Sequence, residues 1–185
     1  MLPSLLIWFL GATATIVVER MARPVQRRGT PTPAFLTDAV LQLTLAVALA
    51  GPLLLAIIVP RQATVGCLVS GSFLVLAGSA LRAWAMVVLG QRFQLTPVEQ
   101  PDVPTLIVRG PYGVVRHPGY VALLAQFAGL ALILSDPLAL LFCAPTIAGT
   151  VIRIRAEEQL LTREFGPTHE TYRQSVRWKL VPWIY

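Results

Sequence analysis

The chain has 185 residues, 55% of them apolar and 13% charged, with a mean hydropathy of +0.67, a balance that excludes an ordinary soluble domain and makes a bilayer the expected solvent. Spans of about 20 residues each use most of that length, so one helical membrane domain is expected, with no room for a separate soluble one. The net charge of +6 sits on arginines beside apolar runs rather than on a basic surface interleaved with aromatics, which argues for membrane topology and against a nucleic-acid partner.

The first apolar run, Pro3 to Val18, is preceded by no basic residue and followed by Arg20, Arg23, Arg27 and Arg28. That order, without a small-residue cleavage site, predicts a retained span with its amino terminus outside and its carboxyl end in the cytosol. A second run extends from Ala39 to Val59, softly interrupted at Gln42 and Gly51-Pro52. A third extends from Val65 to Leu89 and carries Arg82 near its far end, where the side chain is expected to snorkel. Cys67 and Cys143 lie within apolar runs at no metal-site or disulfide spacing and are expected as buried thiols.

From Gly90 to Pro118 the chain turns polar, and Pro97, Pro101, Pro104 and Pro111 exclude a long helix, so a large loop is predicted, of a size that is usually functional or disordered. Two apolar runs follow, Gly119 to Leu134 and Leu138 to Ile152, separated by Ser135-Asp136-Pro137. They read as a helical hairpin. As helices they rise only about 24 and 22 Å against a hydrocarbon core of about 30 Å, so both are expected to extend into water. With five spans and the amino terminus outside, thirteen of the fifteen basic residues fall on cytosolic segments. The expected fold is therefore an all-α integral membrane protein of about five transmembrane helices. Its last two helices form the hairpin, and a cytosolic C-terminal helix and tail follow. Residues 1–89 hold three spans; residues 90–185 hold the loop, the hairpin and the tail.

Two constellations carry candidate chemistry. Around Arg116-His117-Pro118, the plain reading is an interfacial cap, with Pro118 at the first helical position, Tyr120 in an aromatic belt and Arg116 on headgroups. In the second, from Arg153 to Phe165, helical spacing puts Ile154, Glu158, Leu161 and Phe165 on one face, with Arg155, Gln159 and Arg163 opposite. Glu157 flanks the apolar stripe, four residues after Arg153, at the spacing of an ion pair. Glu158 lies inside it, where a carboxylate needs a partner, and the loop ending at Arg116 is the nearest supply of one. His169, between Thr168 and Glu170, reads as a surface residue.

The series Gly110-Pro111-Tyr112, Arg116-His117-Pro118 and Tyr120, followed by Glu157-Glu158, Leu161, Phe165-Gly166, Tyr172 and Val176, resembles the isoprenylcysteine carboxyl methyltransferases and their prokaryotic relatives. The resemblance covers roughly the carboxyl-terminal half. It implies S-adenosylmethionine bound on the cytosolic side by the loop and the last hairpin, with a lipophilic acceptor entering laterally from the bilayer and residues 1–89 as the acceptor-side scaffold. His117, Pro118 and Tyr120 would help form the cofactor pocket, with Tyr112 a further candidate. Arg116 and Glu158 would hold the reacting groups, and Glu157 would support the cofactor or the loop. Phospholipid N-methyltransferases and membrane sterol reductases, the latter using NADPH, show related loop motifs and stand as alternatives, beside a non-catalytic interaction protein. Membrane lipids are the expected surroundings. No metal is implied, since transfer of a sulfonium methyl needs alignment and exclusion of water rather than a Lewis acid, and an acceptor carboxylate is already ionised near pH 7.

Overall fold

The computed structural model describes residues 2–21, 33–62, 64–90, 106–134 and 137–185. Arg23, Arg27, Arg28, Arg92, the Pro97, Pro101 and Pro104 series and the Ser135-Asp136 linker lie outside the described residues. Among the described residues the chain is all-helical, with six α-helices: α1 (Leu2–Met21), α2 (Pro33–Ile58), α3 (Val65–Leu89), α4 (Pro118–Ile133), α5 (Ala144–Phe165) and α6 (Pro167–Ser175).

Helix α4 sits at the centre. Its residues are apolar all round, the pattern of a helix enclosed on every side, and Leu123, Leu130 and Ile133 are almost wholly buried. Glycines set its distance from α3. A Cβ on Gly71 would stand 2.7 Å from the Gly129 carbonyl oxygen, and one on Gly78 would stand 2.8 Å from that of Ala122. Such backbone-to-backbone contact replaces the hydrophobic driving force that apolar solvent removes. The buried residues of α3, namely Gly71, Val75, Gly78, Arg82 and Ala85, alternate by four and three positions, so they form a single seam along the helix. Helix α5 packs on α2 through Gly149, with no side chain to keep it from Thr44, and through a hydrogen bond from Thr146 Oγ1 to the Thr44 carbonyl at 3.0 Å. Gly51 leaves room against α2 for the Phe142 ring, and α2 continues through Pro52.

The outward faces of α1 to α3 expose Leu10, Leu43, Ile57, Phe73 and Val87. Among the described residues four stretches are long and apolar enough to cross a membrane, Leu2–Arg20, Leu36–Ile58, Val65–Leu89 and Leu138–Phe165, and Pro118–Ile133 is apolar but shorter. The hairpin differs in detail from expectation. Helix α4 ends with its apolar run, whereas α5 continues to Phe165, beyond the apolar stretch. Residues Pro137–Cys143 form a 3₁₀ segment rather than the start of α5. Pro145, near the start of α5, lacks an N–H and crowds the carbonyl four residues back, which favours a break in the α-helix between Leu138 and α5. Cys143 is buried as expected, but Cys67 is only half-buried.

After α6 the tail returns over the loop. Arg116 N–H donates to the Trp178 carbonyl and His117 N–H to the Lys179 carbonyl, each at 2.9 Å. A closing turn brings Lys179 and Leu180 N–H onto the Tyr185 carbonyl at 2.9 and 2.8 Å.

Candidate active site

The segment before α4 begins with a 3₁₀ turn, Gly110–Gly113, entered through Gly110 at φ 62°, a conformation that L side chains rarely adopt. His117 then caps α4 and Pro118 occupies its first turn, where the missing N–H costs nothing. Arg116 and His117 thereby face α5, where Glu157 and Glu158, 100° apart on the helix, take different partners.

Glu158 accepts Arg116 bidentately, from Nε to Oε1 at 2.9 Å and from Nη2 to Oε2 at 3.0 Å. Arg116 Nη1 donates to the carbonyls of Val176 at 2.7 Å and Arg177 at 3.0 Å, which ties the guanidinium to the tail. His117 bridges the two acids: Nε2 lies 2.9 Å from Glu158 Oε1 and Nδ1 3.6 Å from Glu157 Oε2. Glu157 accepts from the Tyr120 hydroxyl at 2.6 Å and from Arg153 Nε at 3.1 Å. Arg153 continues to α2, with Nη1 3.0 Å from Thr37 Oγ1 and 3.2 Å from Asp38 Oδ1. Arg116, His117, Tyr120, Arg153 and Glu158 are all buried. The side chains of Arg116 and Tyr120 therefore point into the protein, not to headgroups or an aromatic belt.

Burial acts to lower the pKa of His117, but its hydrogen bonds to Glu157 and Glu158 and their charges outweigh this and raise it above the usual histidine value. Burial pushes the Tyr112 hydroxyl up to about 12, against the pull of the nearby Arg82 charge, and Glu157 adds to the rise. The Tyr112 backbone is itself fixed, its carbonyl accepting from the Tyr172 hydroxyl at 2.7 Å.

His169 is fully buried, contrary to the surface reading. Its Nδ1 lies 3.0 Å from Thr162 Oγ1, which donates its own proton to the Glu158 carbonyl at 2.8 Å. Nδ1 must therefore carry the proton it gives to Thr162, and burial lowers the pKa of the ring. Flanking polar residues gave no hint of this, because a nine-residue helix such as α6 shows its buried face only once docked.

The structure brings Arg116, His117, Tyr120, Glu157 and Glu158 into one hydrogen-bonded cluster, with Pro118 at the start of α4 and Tyr112 outside the cluster, held through its carbonyl by Tyr172. Sequence reading misses Arg153's bridge to Asp38, the carbonyls of the tail, and a partly buried pair between α1 and α3 in which Arg82 Nη2 donates to Glu19 Oε2 at 2.8 Å. Arg82, expected to snorkel, is 4% exposed. A cleft of about 380 Å³ opens beside Glu158 and is lined also by Gln159, Thr162, Arg163, Arg173 and Lys179. Its only sequence signal is the basic stretch of the carboxyl-terminal part. Among the described residues no cluster of metal-ligating side chains occurs.

The sequence model of the isoprenylcysteine carboxyl methyltransferase family matches residues 71–163. A rice protein named as a probable protein-S-isoprenylcysteine O-methyltransferase is 32% identical over 114 residues, covering 57% of this chain and 56% of its own. The Xenopus laevis protein-S-isoprenylcysteine O-methyltransferase is 34% identical over 58% of this chain and 38% of its own. The Schizosaccharomyces pombe protein of the same name is 36% identical over 54% and 43%. The chain thus spans about two fifths to just over half of the length of these relatives. The family match takes in just over half of the 185 residues, from the glycine seam of α3 through Arg116 and His117 to the Glu157-Glu158 turn of α5, and on that basis the chain belongs to the isoprenylcysteine carboxyl methyltransferase family.

Proposed function

We propose that this chain is an integral membrane methyltransferase that transfers a methyl group from S-adenosylmethionine to the carboxylate of a lipophilic, isoprenoid-linked acceptor at the cytosolic face of the bilayer. The observation that carries the reading is the buried Arg116–His117–Glu157–Glu158 cluster where α4 and α5 meet the tail, within the stretch that matches the family. A charged cluster of this kind at the end of membrane helices is costly and marks function by default. The amino terminus lies outside, so the loop, α6 and the tail share the cytosolic side. This orientation rests on the arginines after the first apolar run.

The cleft beside Glu158 fits the cofactor chemically. Arg163, Arg173 and Lys179 suit the carboxylate of S-adenosylmethionine, while the carboxylate of Glu158 is already paired with Arg116 and His117. When bound, this cofactor supplies an electrophilic methyl group. His117, Pro118, Tyr120 and Glu157, with Tyr112 a further candidate, are assigned to the rest of the cofactor pocket by the family resemblance; the lining of that cleft includes none of the five. Arg116 and Glu158 act as one unit that fixes the shape of the reacting region and shields it from water. An ionised acceptor carboxylate needs no general base, so the residues have only to bind, align and dehydrate it.

The test is to incubate the solubilised protein separately with S-adenosylmethionine and NADPH, then assay labelled methyl transfer to prenylated carboxylates, amines and thiols. A rise in melting temperature with S-adenosylmethionine alone, and transfer to the carboxylate at a rate nearly flat from about pH 6 to 8, are expected. Stabilisation by NADPH alone, or a rate rising about tenfold per pH unit on an amine, would overturn the proposal.

A further inference from the structure

The turn that closes the tail has a shape that an aqueous setting does not explain. Lys179, Leu180 and Val181 N–H all donate to the Tyr185 carbonyl, at 2.9, 2.8 and 3.2 Å, and Ile184 and Tyr185 N–H return to the Val181 carbonyl at 3.1 Å each. The two ends of this closed turn face the protein. Leu180 is buried in the apolar cluster that holds Leu41 of α2 and Leu123 and Phe127 of α4, and Tyr185 packs against that cluster. Its middle points outward: Val181, Trp183 and Ile184 are 44%, 83% and 81% exposed. Trp183 takes φ 71°, the only positive φ of a non-glycine among the described residues. A bulky side chain is strained there, so the backbone presents the indole outward against its own preference, and the Trp178 ring, 5.4 Å away, packs against it.

The place of the turn supplies the reason. Bonds from Arg116 and His117 N–H to the tail set it beside the first residues of α4, level with the end of an apolar membrane helix. The loop there is apolar on its outside too, with Val108 and Val114 exposed. Between them Gly110 lies against the last turns of α3, where a Cβ would stand 3.0 Å from Val88 Cγ2 and 3.6 Å from Trp84 Nε1. Trp84 is itself exposed on the outward apolar face of α3, so the loop continues that face toward the start of α4. Arg109 and Arg177, in the same loop and tail, are exposed. Outward tryptophan and isoleucine flanked by arginines, at the ends of apolar helices, have the composition of a headgroup-level anchor, with the rings at the interface and the guanidiniums toward phosphate.

We propose that the Val181–Ile184 turn docks on an anionic lipid surface, with Trp183 and Ile184 inserted among the headgroups and Arg109 and Arg177 on lipid phosphates. The inference goes beyond the reaction proposed above and does not rest on it. The same tail gives the Val176 and Arg177 carbonyls to the Arg116 guanidinium and the Trp178 and Lys179 carbonyls to the loop backbone. Lipid that holds the turn therefore also holds the tail over the charged cluster, and the headgroup composition of the membrane bears on the order of the site.

The experiment reconstitutes the full chain in vesicles of phosphatidylcholine mixed with phosphatidylglycerol. Emission of Trp183 is taken as the difference between the wild type and Trp183→Phe, a conservative change that leaves Trp8, Trp84 and Trp178 in place. The difference spectrum is expected to be blue-shifted from that of indole in water and quenched by lipid brominated close to the headgroup, more than by lipid brominated at the chain end or by aqueous iodide. At equal content, brominated phosphatidylglycerol should quench more than brominated phosphatidylcholine, reflecting an enrichment of up to about fivefold per arginine, and Arg109→Gln with Arg177→Gln should abolish that preference. In the same vesicles Trp183→Ser with Ile184→Ser should speed amide exchange at positions 116 and 117 by about tenfold and leave the middle of α4 unchanged. Quenching by iodide alone would put the turn in water, and shielding from both iodide and bromolipid would mean a protein partner such as a second copy. Either result overturns the inference, as does equal quenching by the two brominated headgroups in the wild type or unchanged exchange at 116 and 117. If the doubly substituted serine variant does not fold, the Trp183→Phe difference spectrum still decides it.

Discussion

Replacing Arg116 and Glu158 by methionine, singly and together, tests whether the pair acts as one unit. The two side chains are 5% and 11% exposed, so removing either partner strands a buried charge, at a cost of about 3–5 kcal/mol. The double variant strands no charge. It leaves the carbonyls of Val176 and Arg177 and His117 Nε2 without their partners, about 1 kcal/mol each, so its loss is about 3 kcal/mol. Independent sites would give a sum of about 6–10 kcal/mol. At about 2–4 °C per kcal/mol for a chain of this size, each single variant should melt about 6–20 °C below the wild type, and the double variant no lower than the worse single one. Tryptophan fluorescence in detergent follows the transition, and methyl transfer should fall by a similar large factor in all three variants, the mark of residues sharing one role. Losses in the double variant that equal the sum of the single ones would refute the idea of a unit.

The remaining predictions concern neighbours of that pair. His117 has a raised pKa in the folded protein, so its contribution to stability is full below its unfolded value of about 6.5 and is lost as pH rises through the folded value. His117→Gln should therefore flatten the decline in melting temperature from about pH 6 to 9, and an unchanged slope would remove the charge from His117. Tyr120→Phe deletes the 2.6 Å hydrogen bond to Glu157 and should cost about 1–3 kcal/mol, with weaker S-adenosylmethionine binding measured by thermal shift; wild-type affinity would exclude Tyr120 from the cofactor pocket. Gly71→Ala sets a Cβ 2.7 Å from the Gly129 carbonyl and should lower stability by about 1–3 kcal/mol by forcing α3 from α4. An unaltered melting temperature would show that the seam has slack.

How much of this is legible in the sequence depends on range. Helices α1 to α3 follow from long apolar runs, and the anomaly at Glu158 follows from helical period, because both are local properties. The direction of its partner is legible too, since the Arg116 loop is the nearest supply of cations that the topology offers to that end of α5. The pairing of Glu19 with Arg82 is not, because it spans 63 positions and depends on the glycine seam that settles where α3 lies. Arg153 reads as a simple i,i+4 partner of Glu157, which it is, at 3.1 Å. Its further reach to Asp38 needs the docking of α2 on α5. His169 fails for a related reason: its burial is imposed by the contact of α6 with Thr162, and nothing within Pro167–Ser175 encodes that contact.

The tail that crosses the loop is held to it by a small, contiguous set of bonds. The backbone N–H groups of Arg116 and His117 and the guanidinium of Arg116 all donate to carbonyls between Val176 and Lys179, so local opening of that segment releases all four contacts together. The glycine-packed helices are not parties to those bonds and can remain assembled through such an opening. Order at the site is then governed by a sub-global equilibrium, with its own free energy below that of melting the bundle. Mild denaturant or heat should accordingly silence the protein while its helix content is still intact, and amide hydrogens at positions 116 and 117 should exchange with the tail rather than with the membrane core.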